Sequence, residues 1–275
     1  MTEFLAKHLV PALALSKREV VRFFRQPSRV VGALLTPLVF WLLIGGGVGS
    51  TFQIPGQAVG ATSGGYSVFF YPGAIMMVVL FTAIFSTFSV IEDRREGFLQ
   101  GVLVSPASRA SIVLGKILGG TFLASFQAVL FLAIAPLVGI KLTLVGVIMA
   151  AVVIALGSFA LTALGLCIAW KLTSTQGFHA VMNLLLMPMW FLSGSLFPYR
   201  DDMAWPLKIA MQINPLTYVQ SGLRHAMSLD DAGVRAALPV SLQICLIASV
   251  VFAGLMFLAA TLIVHWTDGN EPLFA

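Results

Sequence analysis

EDRREGFLQGVLVSPASRASIVLGK, residues 92–116, decides how this chain is read. It is the longest stretch with several charges that lies between two long apolar segments. Residues 72–91 run twenty positions without a charge, and residues 117–140 run twenty-four. A bilayer core about 30 Å thick takes roughly 20 helical residues, so both flanks read as membrane spans. The stretch between them is then a loop on one membrane face. Its glycines and the central Ser105-Pro106 predict two short helical pieces parted by a bend. Such a loop can be a docking element for a soluble partner or simply a solvated charged turn. The apolar residues interleaved with its charges favour docking.

The composition agrees with a membrane chain. Of 275 residues, 59% are hydrophobic and only 10% charged, against about 25% charged in soluble domains. The net charge of +5 does not call for nucleic acid, because basic residues gather on the cytoplasmic side of membrane proteins. Cys167 and Cys245 both lie in apolar runs near opposite leaflets, which argues against a disulfide and predicts packing roles. No early apolar core marks a cleavable leader before Val30.

Outward from the central loop, the pattern predicts an all-α polytopic protein with six spans: 30–48, 72–91, 117–140, 142–170, 180–197 and 240–264. Residues 1–29 form a leading segment and 30–275 the membrane domain. Within residues 3–26, Leu5, Leu9, Leu13, Val20, Phe23 and Phe24 share one helical side. Lys7, Arg18, Arg22 and Arg25 fall opposite. Pro11 starts or breaks this helix and Pro27 stops it. Such a basic amphipathic helix lies in the membrane interface or serves as a topology anchor. Gly45-Gly46-Gly47 reads as a helix end or a close packing site. Residues 49–70 read as an exposed loop. Residues 198–239 are expected to form short interfacial or re-entrant helices, over 204–213 and 216–227.

Six spans put both ends on one side. The leading segment, central loop and 171–179 connection hold eleven Lys/Arg, the opposite side five. The excess marks the cytoplasm, so both termini and the central loop are expected there.

The spans drawn this way contain no Asp, Glu, Lys or Arg. Ion-coupled transporters mark their path with such residues, and repeat-built carriers show internal symmetry that this chain lacks. His8, His179, His225 and His265 sit at span edges or outside, without metal spacing. No phosphate-binding glycine motif occurs: Gly115-Lys116 is followed by Ile117. Any uphill transport must therefore draw its energy from another subunit.

Three sequence pieces are similar to the type-2 ABC transporter permeases, the membrane subunits of daunorubicin, nodulation-factor and polysaccharide exporters. The first runs Asp93-Arg94-Arg95-Glu96-Gly97, Leu103-Val104-Ser105-Pro106, Ser108-Arg109 and Gly115-Lys116. The second is Phe191-Leu192-Ser193-Gly194 with Phe197-Pro198. The third is Asn214-Pro215-Leu216-Thr217-Tyr218 with Gly222-Leu223-Arg224. Gln100-Gly101 departs from the family's common Glu-Gln pair.

The resemblance implies an exporter permease for an amphipathic, drug-like or lipid-linked substrate, in the inner (cytoplasmic) membrane. It implies pairing with a second copy or a paralogous permease, and two ATPase subunits that hold the ATP and Mg. The chain itself is then no enzyme and carries no cofactor. ATPase coupling would fall on Glu92, Arg94, Arg95, Glu96, Phe98, Val102, Leu103 and Arg109. The arginines could meet partner carboxylates, with Phe98, Val102 and Leu103 as apolar anchors. The substrate path would be lined by Phe81, Phe85 and Phe88 of the second span and by Met182, Asn183 and Met187 of the fifth. The same aromatic stripe would equally suit packing against neighbouring spans or lipid. An ATPase-independent channel or scaffold, or a lipid-modifying membrane enzyme, are the alternatives.

Overall fold

The computed structural model describes residues 9–48, 65–199, 202–228 and 240–270. Helices α1 (Val10–Phe24) and α2 (Pro27–Val48) are parted by Arg25 and Gln26. Pro27 does more than stop α1: it occupies the first position of α2, where a missing N–H costs nothing. Then come α3 (Gly65–Ser86), α4 (Ser89–Arg95), α5 (Phe98–Leu103) and α6 (Arg109–Leu132). A 3-10 turn (Ala135–Val138) leads to α7 (Leu144–Lys171) and α8 (Thr175–Trp190), which ends in a π-turn (Phe191–Ser195). The remaining helices are α9 (Trp205–Ile213), α10 (Pro215–Met227) and α11 (Leu242–Asn270). The protein is all-helical among the described residues, with six helical stretches long and apolar enough to cross a membrane.

The predicted short helices over 204–213 and 216–227 are present as α9 and α10. Several other boundaries move. The second span begins at Gly65 rather than 72, so Gly65–Phe70 is helix and Pro72 lies inside it. The rest of the predicted 49–70 loop, the 229–239 part of the predicted 198–239 region and Leu5, Lys7 and His8 lie outside the described residues. The third span begins at Arg109 rather than 117. Ser108 caps it, accepting from the Ser111 N–H at 3.2 Å. The fifth begins at Thr175 rather than 180, because the Ser174 hydroxyl caps α8 through the Gly177 N–H at 3.3 Å. The charged loop is therefore shorter than 92–116. The charge-free segments 72–91 and 117–140 are thus the inner parts of longer helical stretches. The second spanning stretch, Tyr66–Arg95, runs through Asp93, and the third, Arg109–Val138, through Lys116. A charge ends a helix only when it must reach water, and both of these are buried and paired.

Helix α3 is the centre of the molecule. Tyr71 to Leu80 are all buried, and α2, α6, α7 and the π-turn pack around it. Small residues allow the closest approaches, as expected where lipid removes most of the hydrophobic drive between helices. A Cβ on Gly165 of α7 would stand 2.9 Å from the Thr87 hydroxyl, and one on Gly73 of α3 would stand 2.8 Å from the Ser195 carbonyl. Gly45 is also a close packing site: its carbonyl accepts from the Ser67 hydroxyl at 2.9 Å. Helices α2 and α11 lie at the periphery and turn Val31, Leu35, Leu42, Leu43, Ile247, Leu255 and Leu258 outward.

Helix α1 has a face that the sequence pattern did not reveal. Ala12, Leu15, Glu19 and Phe23 point inward against α6, while Leu9, Leu13 and Phe24 point outward. Phe23 thus leaves the apolar side assigned to it. Arg18 and Arg22 flank the inward face, whereas Arg25 is exposed. Gly115 and Gly119 receive the helix, since a Cβ on either would stand 2.7 Å from an atom of α1.

Candidate functional site: a charge clamp, an aromatic stripe and a carbonyl seat

At the end of the bundle where α1, α4 and α6 meet, buried charges form one connected cluster. Asp93 of α4 is wholly buried and accepts from three cations. Arg18 reaches it through Nη1 (3.0 Å) and Nη2 (2.7 Å), Arg22 through Nη1 (2.7 Å), and Lys116 through Nζ. The Lys116 ammonium also donates to Glu19 and to the Ser89 hydroxyl at 3.3 Å. Arg22 extends the cluster outward to Glu92 (3.0 Å) and Glu96 (3.2 Å). Burial opposes the Arg18 charge, but its hydrogen bonds to Asp93 and the carboxylates around it outweigh that and hold the guanidinium above its ordinary value. Its inner members Asp93, Lys116 and Glu19 are buried, and charges removed from water in this way persist only with good partners, whereas Arg18, Arg22 and Glu92 keep partial contact with solvent and Glu96 is exposed. The cluster fastens α1, α4 and the start of α6 into one unit.

Several residues of the central loop also make contacts within the chain. Arg94 points into the chain: Nη1 donates to the Leu172 carbonyl (3.0 Å) and Nη2 to the Trp170 carbonyl at the end of α7. Arg95 donates to the Thr173 carbonyl at 3.1 Å. Phe98 lies under the Arg18 guanidinium, 3.6 Å from ring centroid to Cζ. Glu92 and Glu96 are held by Arg22, and Arg109 is the half-buried first residue of α6. The outward surface of the loop includes Arg95, Glu96, Gln100 and Gly101 and continues over the end of α5 and the turn after it. Val102 and Leu103 are half-buried, and Val104 is 86% exposed. Val104 escaped the sequence reading although it lay within a quoted motif. One exposed valine has no distinguishing pattern.

The aromatic stripe is continuous with this unit. Phe81 stacks on Phe85 at 5.5 Å, and Phe85 and Phe88 both meet His179 of α8 at 5.5 Å. Phe88 also meets the edge of Phe178 at 5.9 Å. Phe81, Phe85 and Phe88 are half-buried on a run that is otherwise mostly buried. On α8, Met182 is buried, Met187 half-buried and Asn183 exposed. The structure therefore joins the stripe to the start of α8 but turns Met182 into the core.

The other two motif pieces form a seat at the opposite end. Helix α8 unwinds through the π-turn, with Gly194 at φ +80°. Unwinding frees backbone carbonyls, which in an apolar setting must find donors. Asn214 Nδ2 donates to the Met189 carbonyl at 2.6 Å while its Oδ1 caps α10 through the Leu216 N–H at 3.0 Å. Thr217 donates to the Leu192 carbonyl (3.3 Å), Arg224 to Gly194 (2.8 Å) and Tyr66 to Leu196 (2.9 Å). Arg224 also lies 4.0 Å over the Phe69 ring. The residues of the Asn-Pro-Leu-Thr and Gly-Leu-Arg pieces are thus donors for the broken helix. This explains why the two pieces occur together. No cluster of metal-ligating side chains occurs among the described residues.

Residues 12–228 match the family model described as ABC-2 type transporter. The chain is 28% identical over 216 residues to the putative transport permease ycf38 of Cyanophora paradoxa, covering 78% of this chain and 73% of that one. The corresponding protein of Porphyra purpurea is 27% identical, with 79% and 74% covered. A probable multidrug ABC transporter permease of Escherichia coli K12, YbhR, is 31% identical over 176 residues. That match covers 62% of this chain and 46% of YbhR.

Proposed function

The chain belongs to the ABC-2 type transporter family, and we propose that it is the membrane half of an ATP-driven exporter for amphipathic, drug-like or lipid-linked molecules. Two ATPase subunits, holding the ATP and Mg, would dock on the face that carries α1, α4 and α5. That face would be the cytoplasmic one, a reading supported by its excess of Lys/Arg. Two permease copies would surround the path in the inner membrane. The likeness to a relative named as a multidrug permease supports the substrate class, and Phe81, Phe85 and Phe88 with Asn183 and Met187 of α8 would give such a substrate an adaptable, uncharged lining.

The observation that carries this reading is the continuity of α3 with the charge clamp. The helix bearing the stripe passes through a break at Thr87 and Phe88 into α4, whose Asp93 is locked to α1 and α6. A push on the exposed turn at Val104 would therefore move a rigid body at one end of the path. The test is co-purification with a candidate ATPase, followed by ATP turnover in lipid. Val104→Asp should disrupt the complex without lowering thermal stability, because the side chain is 86% exposed. Phe98→Asp is the poorer probe, since it would also remove the ring beneath Arg18. A complex that tolerates Val104→Asp would place the ATPase elsewhere, and failure of any ATPase to bind would end the exporter reading.

A further inference from the structure

Arg94 and Arg95 are the two adjacent cations of the central loop, yet both bind the connection between α7 and α8. Arg94 holds the Trp170 and Leu172 carbonyls and lies 5.9 Å from the Trp170 ring. Arg95 holds the Thr173 carbonyl. Three carbonyls in four consecutive residues are thus gripped from one short helix. They lie at the C-terminal end of α7, where free carbonyls and the helix dipole favour a cation.

The connection itself has little slack. Leu172 (φ −101°, ψ 137°) and Ser174 (φ −106°, ψ 130°) are extended, and Thr175 already begins α8. An extended chain spans at most about 3.3–3.6 Å per residue, so a taut segment transmits displacement instead of absorbing it. A second contact reinforces the first. Phe88, just before α4, packs on Phe178 and His179 in the first turn of α8. The α4 segment therefore grips the connection on both sides.

We infer that Arg94, aided by Arg95, is a transmission latch: it makes the α7–α8 connection follow the central loop, so that a displacement driven at Val104 is delivered to α8. This rests on the exporter reading. The second connection needs no ATPase contact of its own, because the first loop drags it. In this role Arg94 is a positioning residue, acting through backbone carbonyls on a helix that contributes Asn183 and Met187.

The experiment uses the full chain with its ATPase in lipid nanodiscs, with Cys167 and Cys245 replaced by alanine. Spin labels are placed at Leu13→Cys, on the outward side of the α1 helix that Asp93 ties to α4, or at Gln176→Cys, both exposed positions. Distances between the two copies are measured by pulsed electron resonance, without nucleotide and after trapping with ADP and vanadate. In the otherwise unchanged protein both distances should shift on trapping. With Arg94→Met the Leu13 distance should still shift and the Gln176 shift should fall by half or more, the Phe88 contact carrying what is left.

A second variant inserts two glycines between Thr173 and Ser174. It keeps the arginine acceptors and the Ser174 cap, adds slack, and should give the same split; it decides the matter if Arg94→Met fails to accumulate. A full Gln176 shift in Arg94→Met, or in the glycine insertion if that variant alone is recovered, would overturn the latch. Loss of both shifts in the insertion would also overturn it. Absence of any shift at Leu13 in the unchanged protein would instead overturn the exporter reading beneath it.

Discussion

Replacing Asp93 by asparagine should be among the most damaging single changes in this protein. The carboxylate is wholly buried, and Arg18, Arg22 and Lys116 converge on it. The variant keeps the size of the side chain but leaves three cations with Glu19, Glu92 and Glu96 for compensation. Removing one member of a buried ion pair typically costs about 3–5 kcal/mol, because the remaining charge stays desolvated. Glu96 supplies an internal control. It pairs with the same Arg22 at 3.2 Å, but its side chain is 59% exposed, and exposed pairs contribute roughly 1 kcal/mol or less. With about 2–4 °C of Tm per kcal/mol for a chain of this size, Asp93→Asn should lower Tm by about 6–20 °C. Glu96→Gln should change it by no more than about 4 °C. Thermal unfolding in one detergent, followed by size-exclusion fluorescence, compares them directly. Equal losses in the two variants would refute the premise that burial gives this cluster its strength.

Three further outcomes follow from the packing. Gly115→Val should loosen α1 from α6, since even a Cβ there would stand 2.7 Å from the Ala12 carbonyl; limited proteolysis should then cut near α1 while the spans stay protected. Asn214→Ala should cost about 0.5–2 kcal/mol for the lost cap and about 1 kcal/mol more for the Met189 carbonyl, read as a drop in Tm. Gly194→Ala should cost about 1–2 kcal/mol, because at φ +80° a side chain meets left-handed strain. Gly194→Asn should be milder in the same melt.

Much of this architecture could be read from residue order alone. Long apolar runs locate the six spans, and Asn214-Pro215 announces α10 because the amide caps while proline suits the first turn. Other features left no local trace. Lys116 read as the edge of a loop because nothing in its neighbourhood discloses that Glu19 and Asp93, distant in sequence, will bury it. Pro72 read as the start of a span, yet it lies inside α3. There Gln220 of α10, with its amide turned to suit both groups, serves the Gly73 N–H (3.2 Å) and the Pro72 carbonyl (3.3 Å). The acceptors of Arg94 and Arg95 within the chain were illegible because they are backbone carbonyls, which no side-chain pattern encodes. The inward face of α1 was hidden for a similar reason. Glu19 counts as polar in any periodicity and is nonetheless buried.

An ATP-hydrolysing subunit docked on the turn after α5 would lie within reach of Val104. A photo-cross-linking amino acid at Val104, in cells that express the whole transporter, tests this docking most directly. Leu137 is the control, 87% exposed in the turn that leads from α6 towards α7. The account predicts a covalent adduct at Val104 with a subunit bearing a phosphate-binding loop, and none with it at Leu137. No such adduct at Val104, or equal adducts at both positions, would contradict it.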